Sequence, residues 1–183
     1  MNTKAKPASG WAKMDAQTFM REKPGAFDPF STLCNDWMIL GAGTASDWNA
    51  MTAGWGTVGR LWAKDVAVCY VRPSRHTYGY MERSNRFTLS FFDQDRQSVL
   101  DFFGHKSGRD LDKAAGAGVD PVHFAEDAVS FAQARLCFVC RKLYAQDMLP
   151  ELFKDPSIDD HYPKGDYHRM YVGEIEEVRV RTV

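Results

Sequence analysis

Asn49-Ala50-Met51-Thr52-Ala53-Gly54-Trp55-Gly56-Thr57-Val58-Gly59 sets small residues around one large aromatic. Its second half spells G-x-G-x-x-G, the fingerprint of a dinucleotide loop, which works only where it follows a strand and opens a helix facing a pyrophosphate. Here Arg60-Leu61-Trp62-Ala63-Lys64-Asp65 leads within a few residues into another strand. No acidic residue stands at the end of a second strand about twenty residues on, and there is no Walker A sequence. A doubly wound nucleotide fold is set aside. What remains is a run of small residues around one large aromatic, and it has two readings. Small residues let backbone N–H and C=O groups approach a flat ligand closely. Equally, a Gly-rich bulge packs two sheets together.

Working outward, the chain reads as strands broken by short helices. Trp37 to Thr44 is apolar and Gly-containing, and Val66 to Val71 is a buried-type run. In Phe87 to Phe92, Phe87, Leu89 and Phe91 share one face while Thr88 and Ser90 share the other. Arg135 to Tyr144 and Arg169 to Val183 complete the set. Helices are expected within Ser74 to Arg83, after a cap at Asp95 with Gly104 as the stop, and over Arg109 to Ala117 before Gly118. Without regular βαβ alternation, this order favours an antiparallel barrel over a parallel sheet. Residues 1–30, punctuated by Pro7, Pro24 and Pro29, read as an extended or partly helical arm, and residues 31–183 as the domain.

Composition narrows the function. A net charge of -1 without a basic run argues against a nucleic-acid partner. The apolar stretches fall far short of a membrane span, and the first residues carry no apolar signal core, so the cytoplasm is the default compartment. Cys137 and Cys140 form a C-x-x-C, but residues three apart on a strand point to opposite faces. They read as packed thiols rather than a redox pair or half of a zinc site. The five histidines follow no ligand spacing, so no metal is expected. No catalytic nucleophile stands out: Ser90 lacks a G-x-S-x-G context, and Cys69 sits inside an apolar strand.

Three further segments carry polar chemistry. Val71-Arg72-Pro73-Ser74-Arg75-His76-Thr77-Tyr78 leaves a strand and offers hydroxyl and guanidinium donors at a helix start, which suits a phosphate or, more simply, a cap with solvated arginines. Gly104-His105-Lys106-Ser107-Gly108-Arg109-Asp110-Leu111-Asp112-Lys113 repeats the pattern, with Arg109 and Lys113 one helical turn apart. A solvated charged face is the alternative. In Asp166-Tyr167-His168-Arg169-Met170-Tyr171-Val172-Gly173-Glu174-Ile175 a histidine enters a strand between aromatics.

These segments, with Phe87-Thr88-Leu89-Ser90-Phe91-Phe92 between them, resemble in their order the flavin-reductase-like, FMN-binding split-barrel family. The similarity runs from about Trp37 to about Val178 and is greatest to its small single-domain, flavoredoxin-like branch. The resemblance implies a mainly β fold: a six-stranded antiparallel Greek-key split barrel with short peripheral helices, a homodimer with FMN near the subunit interface. It implies that Asn49, Ala50, Met51, Thr52, Ala53, Trp55 and Gly56 line the flavin. Arg72, Pro73, Ser74, Arg75 and Thr77, with Ser107, Arg109 and Lys113, would hold the phosphate. Ser90 and Phe91 would lie beside the ring and His168 near its open face. Gly54 departs from the family pattern, in which serine is common there.

With FMN as cofactor, hydride chemistry belongs to the flavin and needs alignment rather than a protein acid or base. The expected activity is that of an NAD(P)H-dependent flavin oxidoreductase, with a flavin or protein as electron acceptor. A non-enzymatic FMN electron-transfer protein, or a barrel that keeps the fold without the cofactor, are the alternatives. The arm's aromatics (Trp11, Phe19, Phe27, Phe30) suggest a cover for the partner subunit's flavin.

Overall fold

A computed structural model of the protein describes residues 6–7 and 9–182. The elements run β1 (Lys6–Pro7), β2 (Trp11–Met14), α1 (Ala16–Glu22), and α2 (Pro29–Ser31), which continues as a π-turn over Thr32–Asp36. Next come β3 (Met38–Gly43), β4 (Trp48–Ala53), β5 (Gly56–Leu61), β6 (Lys64–Val71), α3 (His76–Arg83) and β7 (Arg86–Phe91). The chain closes with α4 (Gln97–His105), α5 (Lys113–Ala117), β8 (Pro121–Ala125), β9 (Ala128–Phe131), β10 (Leu136–Asp147) and β11 (Arg169–Arg181).

The main sheet has the order β4-β3-β7-β10-β11-β6-β5, all antiparallel, with β2 added on β11. Its two end strands, β4 and β5, are consecutive in the chain and joined only by Gly54 and Trp55. Two linking residues reach only about 10 Å, so a sheet of this width must curl until its ends nearly meet. They meet without pairing, and the barrel is split there. Register shifts at Val139/Cys140 and Lys142/Tyr144 help β10 and β11 bend around it. The sheet has eight strands, two more than the six that the resemblance implies, and β2 from the arm is one of the two.

Alternation sorts the core. Phe87, Leu89 and Phe91 of β7 enter the barrel with Leu40, Phe138 and Tyr171. The opposite face of β7 meets a small second sheet, β1-β8-β9, where Ser90 Oγ lies 2.8 Å from Ser130 Oγ and Thr88 donates to the Val129 carbonyl. A second core outside the barrel joins Ile39, Trp48 and Ala50 to Val99, Leu100 and Phe103 of α4. Cys140 faces the barrel interior and Cys137 the layer beneath β8, so the C-x-x-C thiols do diverge.

Two helix boundaries differ from the sequence expectation. A 3-10 turn over Gln94–Arg96 absorbs Asp95, so α4 starts at Gln97 with no side-chain cap, and Gly104 lies inside it. Asp112 caps α5 by accepting from the amides of Ala114 and Ala115, while Gly118 closes it at φ +67. Arg109 therefore lies in the turn before the helix, and the one-turn pairing with Lys113 does not form. The arm's aromatics are also mostly used at home. Phe19 and Phe27 enter the barrel core, Trp11 meets Phe124 edge-on at 5.1 Å, and only Phe30, 87% exposed, points outward.

Candidate functional site

The split between β4 and β5 creates the site. G-x-G-x-x-G is a strand–turn–strand crossing here, and no helix follows it. A Cβ at Gly56 would stand 2.9 Å from Met38 Cε and 3.0 Å from the Val68 carbonyl, so glycine is needed for the crossing to pack. Trp55 swings outward, its ring 4.9 Å from His168 and 5.3 Å from His161. Along β4, Asn49, Met51 and Ala53 face one way, whereas Trp48 and Ala50 face α4. Thr52 also turns to α4, where its hydroxyl donates to the Leu100 carbonyl.

A cleft of about 550 Å3 runs along the backbone of Met51 to Trp55, roofed by Leu33, Cys34 and Trp37 from the π-turn. Beside it lies an apolar cleft of about 640 Å3 that shares Leu33, Cys34, Gly54, Trp55 and Tyr70 and extends to Phe30 and Met148. At the other end it meets a polar pocket of about 150 Å3, with Met51, Arg75 and His105 common to both. Asn49, Ser74, Thr77, Ser107, Arg109 and Lys113 border that pocket. Two segments that the sequence offered separately as phosphate sites thus converge in one place.

Lys113 dominates the polar pocket. It is 3% exposed, its ammonium donates to the carbonyls of Ala50 (2.8 Å) and Phe103 (2.7 Å), and it forms no ion pair among the described residues. Burial, with Arg75 adding positive charge nearby, lowers its pKa to about 8. Asn49, 2% exposed, donates to Thr77 Oγ1 at 2.8 Å but leaves its buried Oδ1 without a partner. Gly108 makes room for this arrangement, since a Cβ there would lie 2.1 Å from Asn49 Oδ1. Burial and the guanidinium of Arg109 lower the pKa of His76 at the same pocket. The charges bordering the pocket (Arg75, Arg109 and Lys113) are positive.

At the far end, His168 is 9% exposed and its Nδ1 lies 2.8 Å from the Tyr162 hydroxyl. Burial, then Arg72, lowers its pKa to about 4, so the imidazole is neutral near pH 7. Arg72 pairs with Asp166 at 2.6 Å and donates to the His161 carbonyl at 2.9 Å. The Ser74 hydroxyl also donates to Asp166.

Several expected site residues are placed elsewhere or engaged otherwise. Ser90 and Phe91 lie away from the cleft: Ser90 is bonded to Ser130, and Phe91 packs on Phe27 and Phe138. The alternation that buries Phe91 in the barrel turns Ser90 toward the second sheet. Ala50 offers its carbonyl while its side chain packs under α4. Pro73 is exposed in the turn after β6, outside the clefts. Arg72 lines the ring-sized cleft rather than the polar pocket. Sequence reading missed the roof (Leu33, Cys34, Trp37), Tyr70, His105 and Gly108. Only Gly108 had a local signal, a glycine set between donors.

The flavin reductase like domain family matches residues 30–183. A comparison with curated proteins finds no match. Among solved structures, an FMN-binding protein from Thermus thermophilus with bound 1-cyclohex-2-enone aligns at a TM-score of 0.62 and 20% identity, over 85% of this chain and 74% of that one. Flavoredoxin from Methanosarcina acetivorans aligns at 0.61 and 19%, over 78% and 67%. An NADH:FAD oxidoreductase from Streptomyces globisporus aligns at 0.59 and 17%, over 80% and 75%. These likenesses agree on the split barrel, and the family match spans the barrel strands, the cleft and the polar pocket. The chain therefore belongs to the flavin reductase like domain family.

Proposed function

We propose that the protein binds FMN and acts as an NAD(P)H-dependent flavin oxidoreductase. The observation that carries the reading is Lys113, a buried ammonium that donates to two carbonyl oxygens and lies 4.9 Å over the Phe103 ring, with no carboxylate paired to it among the described residues, beside an orphaned Asn49 Oδ1. A buried cation without a counter-charge is costly, and a phosphate dianion is the partner that its pocket fits. Lys113, Arg109 and Arg75 would supply charge, and Ser107 and Thr77 hydroxyls, to the ribityl phosphate. The ring would lie along the Met51 to Trp55 backbone, whose glycine and alanines let it approach. Held there by these residues, FMN would supply the hydride-accepting chemistry.

The chain's own contribution is alignment and the exclusion of water. Trp55, Tyr70 and His168 line the cleft, and a nicotinamide would be set down beside them. His168 is neutral there near pH 7 and is not charged as an imidazolium acid, which suits a step that transfers hydride alone. A homodimer fits the exposed Phe30 and the apolar cleft beside it. Free Cys34, Cys69, Cys137 and Cys140 fit a reducing cytoplasm. Among the described residues no helix is long and apolar enough to cross a membrane.

The purified protein is expected to be yellow or to take up FMN stoichiometrically, and to bleach when NADH or NADPH is added anaerobically. A protein that holds FMN yet is bleached by neither nucleotide would remove the reductase reading and leave the binding one.

A further inference from the structure

Trp37 is one of three non-glycine residues with a positive φ among the described residues, with Trp62 and Ala63. Its φ of 56° and ψ of -171° fall close to a region that only glycine adopts easily. The surroundings impose this. Its amide donates to the Thr32 carbonyl at 3.1 Å, closing the π-turn, and β3 starts at the next residue. Asp36, just before it, faces Arg135 at 3.5 Å, and Arg135 is itself fixed on the carbonyls of Ala26 and Phe92. A π-turn and, at the residue that follows it, a strained backbone are features that concentrate at functional sites.

The aim is into the ring-sized cleft. The indole lines it and lies against Gly54: a Cβ there would stand 3.1 Å from Trp37 Cδ1 and 3.2 Å from Nε1. The indole thus fills the space that a side chain at position 54 would need. It nevertheless stays 39% exposed, so its position is not explained by burial. We propose that Trp37 is a specificity-determining residue of the cleft, an aromatic platform that packs against a planar heteroaromatic ring and keeps position 54 free of a side chain. The proposal rests on the flavin reading above, with the isoalloxazine ring of FMN as that ring.

The test is flavin binding followed by fluorescence, using FMN and phosphate-free riboflavin on the full chain. Trp37→Ala and Trp37→Gly are expected to weaken both ligands by about three- to tenfold, while Trp37→Phe stays within about twofold. Because the lost contact is with the ring, the FMN-to-riboflavin affinity ratio stays constant. Gly suits the strained backbone, so Trp37→Gly melts about 2–8 °C above Trp37→Ala and keeps the test open should the alanine variant fold poorly. Gly54→Ala weakens binding in the wild-type background, where the rigid indole must shift, and has little effect beside Trp37→Ala. Ala and Gly variants that bind both flavins as tightly as wild type would overturn the proposal and leave the flavin site standing. A wild-type protein that takes up neither flavin would instead remove the underlying reading.

Discussion

The two ends of the cleft are built from opposite materials. The polar pocket depends on side chains: one buried ammonium, an unsatisfied amide oxygen and a ring of hydroxyls and guanidiniums. The ring-sized cleft depends on the backbone and small residues of Met51 to Trp55, faced by the aromatic rings of Trp37, Trp55 and Tyr70. The difference teaches where binding energy and shape reside. A desolvated charge without a partner favours an anion strongly and says little about what is attached to it. A floor of glycine and alanine contributes little energy by itself but selects for flatness.

The largest expected effect breaks the polar end. Trp37 aside, Lys113→Met is expected to weaken FMN by about 100-fold or more, because truncating one partner of a buried charge pair costs roughly 2–5 kcal/mol. Riboflavin affinity changes little, and titrating both ligands separates the two ends in one experiment. The free protein's Tm moves only slightly: the ammonium's desolvation cost disappears, while the Ala50 and Phe103 carbonyls lose their donor. An equal loss for both ligands would show that the two ends are one energetic unit.

The next effect tests the ring end without a ligand. His168 is held neutral, its pKa lowered to about 4. Between that value and its unfolded pKa near 6.5, the unfolded chain binds the extra proton and the folded one does not. Stability is therefore fully present above about pH 6.5 and is lost as pH falls toward 4. Urea unfolding across this window is expected to show about 2–3 kcal/mol more loss in wild type than in His168→Gln. Matching acid profiles would mean that the imidazole is not buried as the Tyr162 contact implies.

Gly108→Ala comes third and probes the shape of the polar pocket rather than its charge. The new methyl would press on Asn49 Oδ1, and overpacking of this kind costs about 1–3 kcal/mol. FMN affinity is expected to fall about tenfold with a lower Tm, whereas Gly108→Ala in an Asn49→Ala background recovers part of the Tm loss.

How far the sequence reveals this contrast follows from the reach of each signal. Strand alternation is local, so the faces of Phe87 to Phe91 and the divergence of Cys137 from Cys140 could be read directly. The polar donors were legible because they cluster within short segments, although Arg72 was not separable from Arg75 by spacing. Only the fold shows that Asp166, far along the chain, claims Arg72. Ser90 lies elsewhere for a related reason: alternation gives two faces, and neither meets the cleft, since one fills the barrel and the other packs on the small β1-β8-β9 sheet. The roof was hidden most completely. Leu33, Cys34 and Trp37 come from a π-turn whose strained exit contradicts tryptophan's own backbone preference.

The smallest expected effect sharpens the comparison by pH. In the free protein the Lys113 ammonium is disfavoured by burial, so it begins to lose its proton near pH 8. Below that value the pocket presents a cation to a phosphate whose second pKa is near 6, and FMN is expected to bind at full strength from about pH 7. A bound dianion raises the amine's pKa, so binding above pH 8 requires the site to take up a proton, and affinity falls with each step in pH. Between pH 7 and 9 the expected loss for FMN is about tenfold, read by fluorescence titration. Riboflavin, having no phosphate, stays level across the same range, and Lys113→Met flattens the FMN curve. A riboflavin curve that falls in parallel would place the titrating group at the ring end instead, and the division between a charged end and a shaped end would no longer hold.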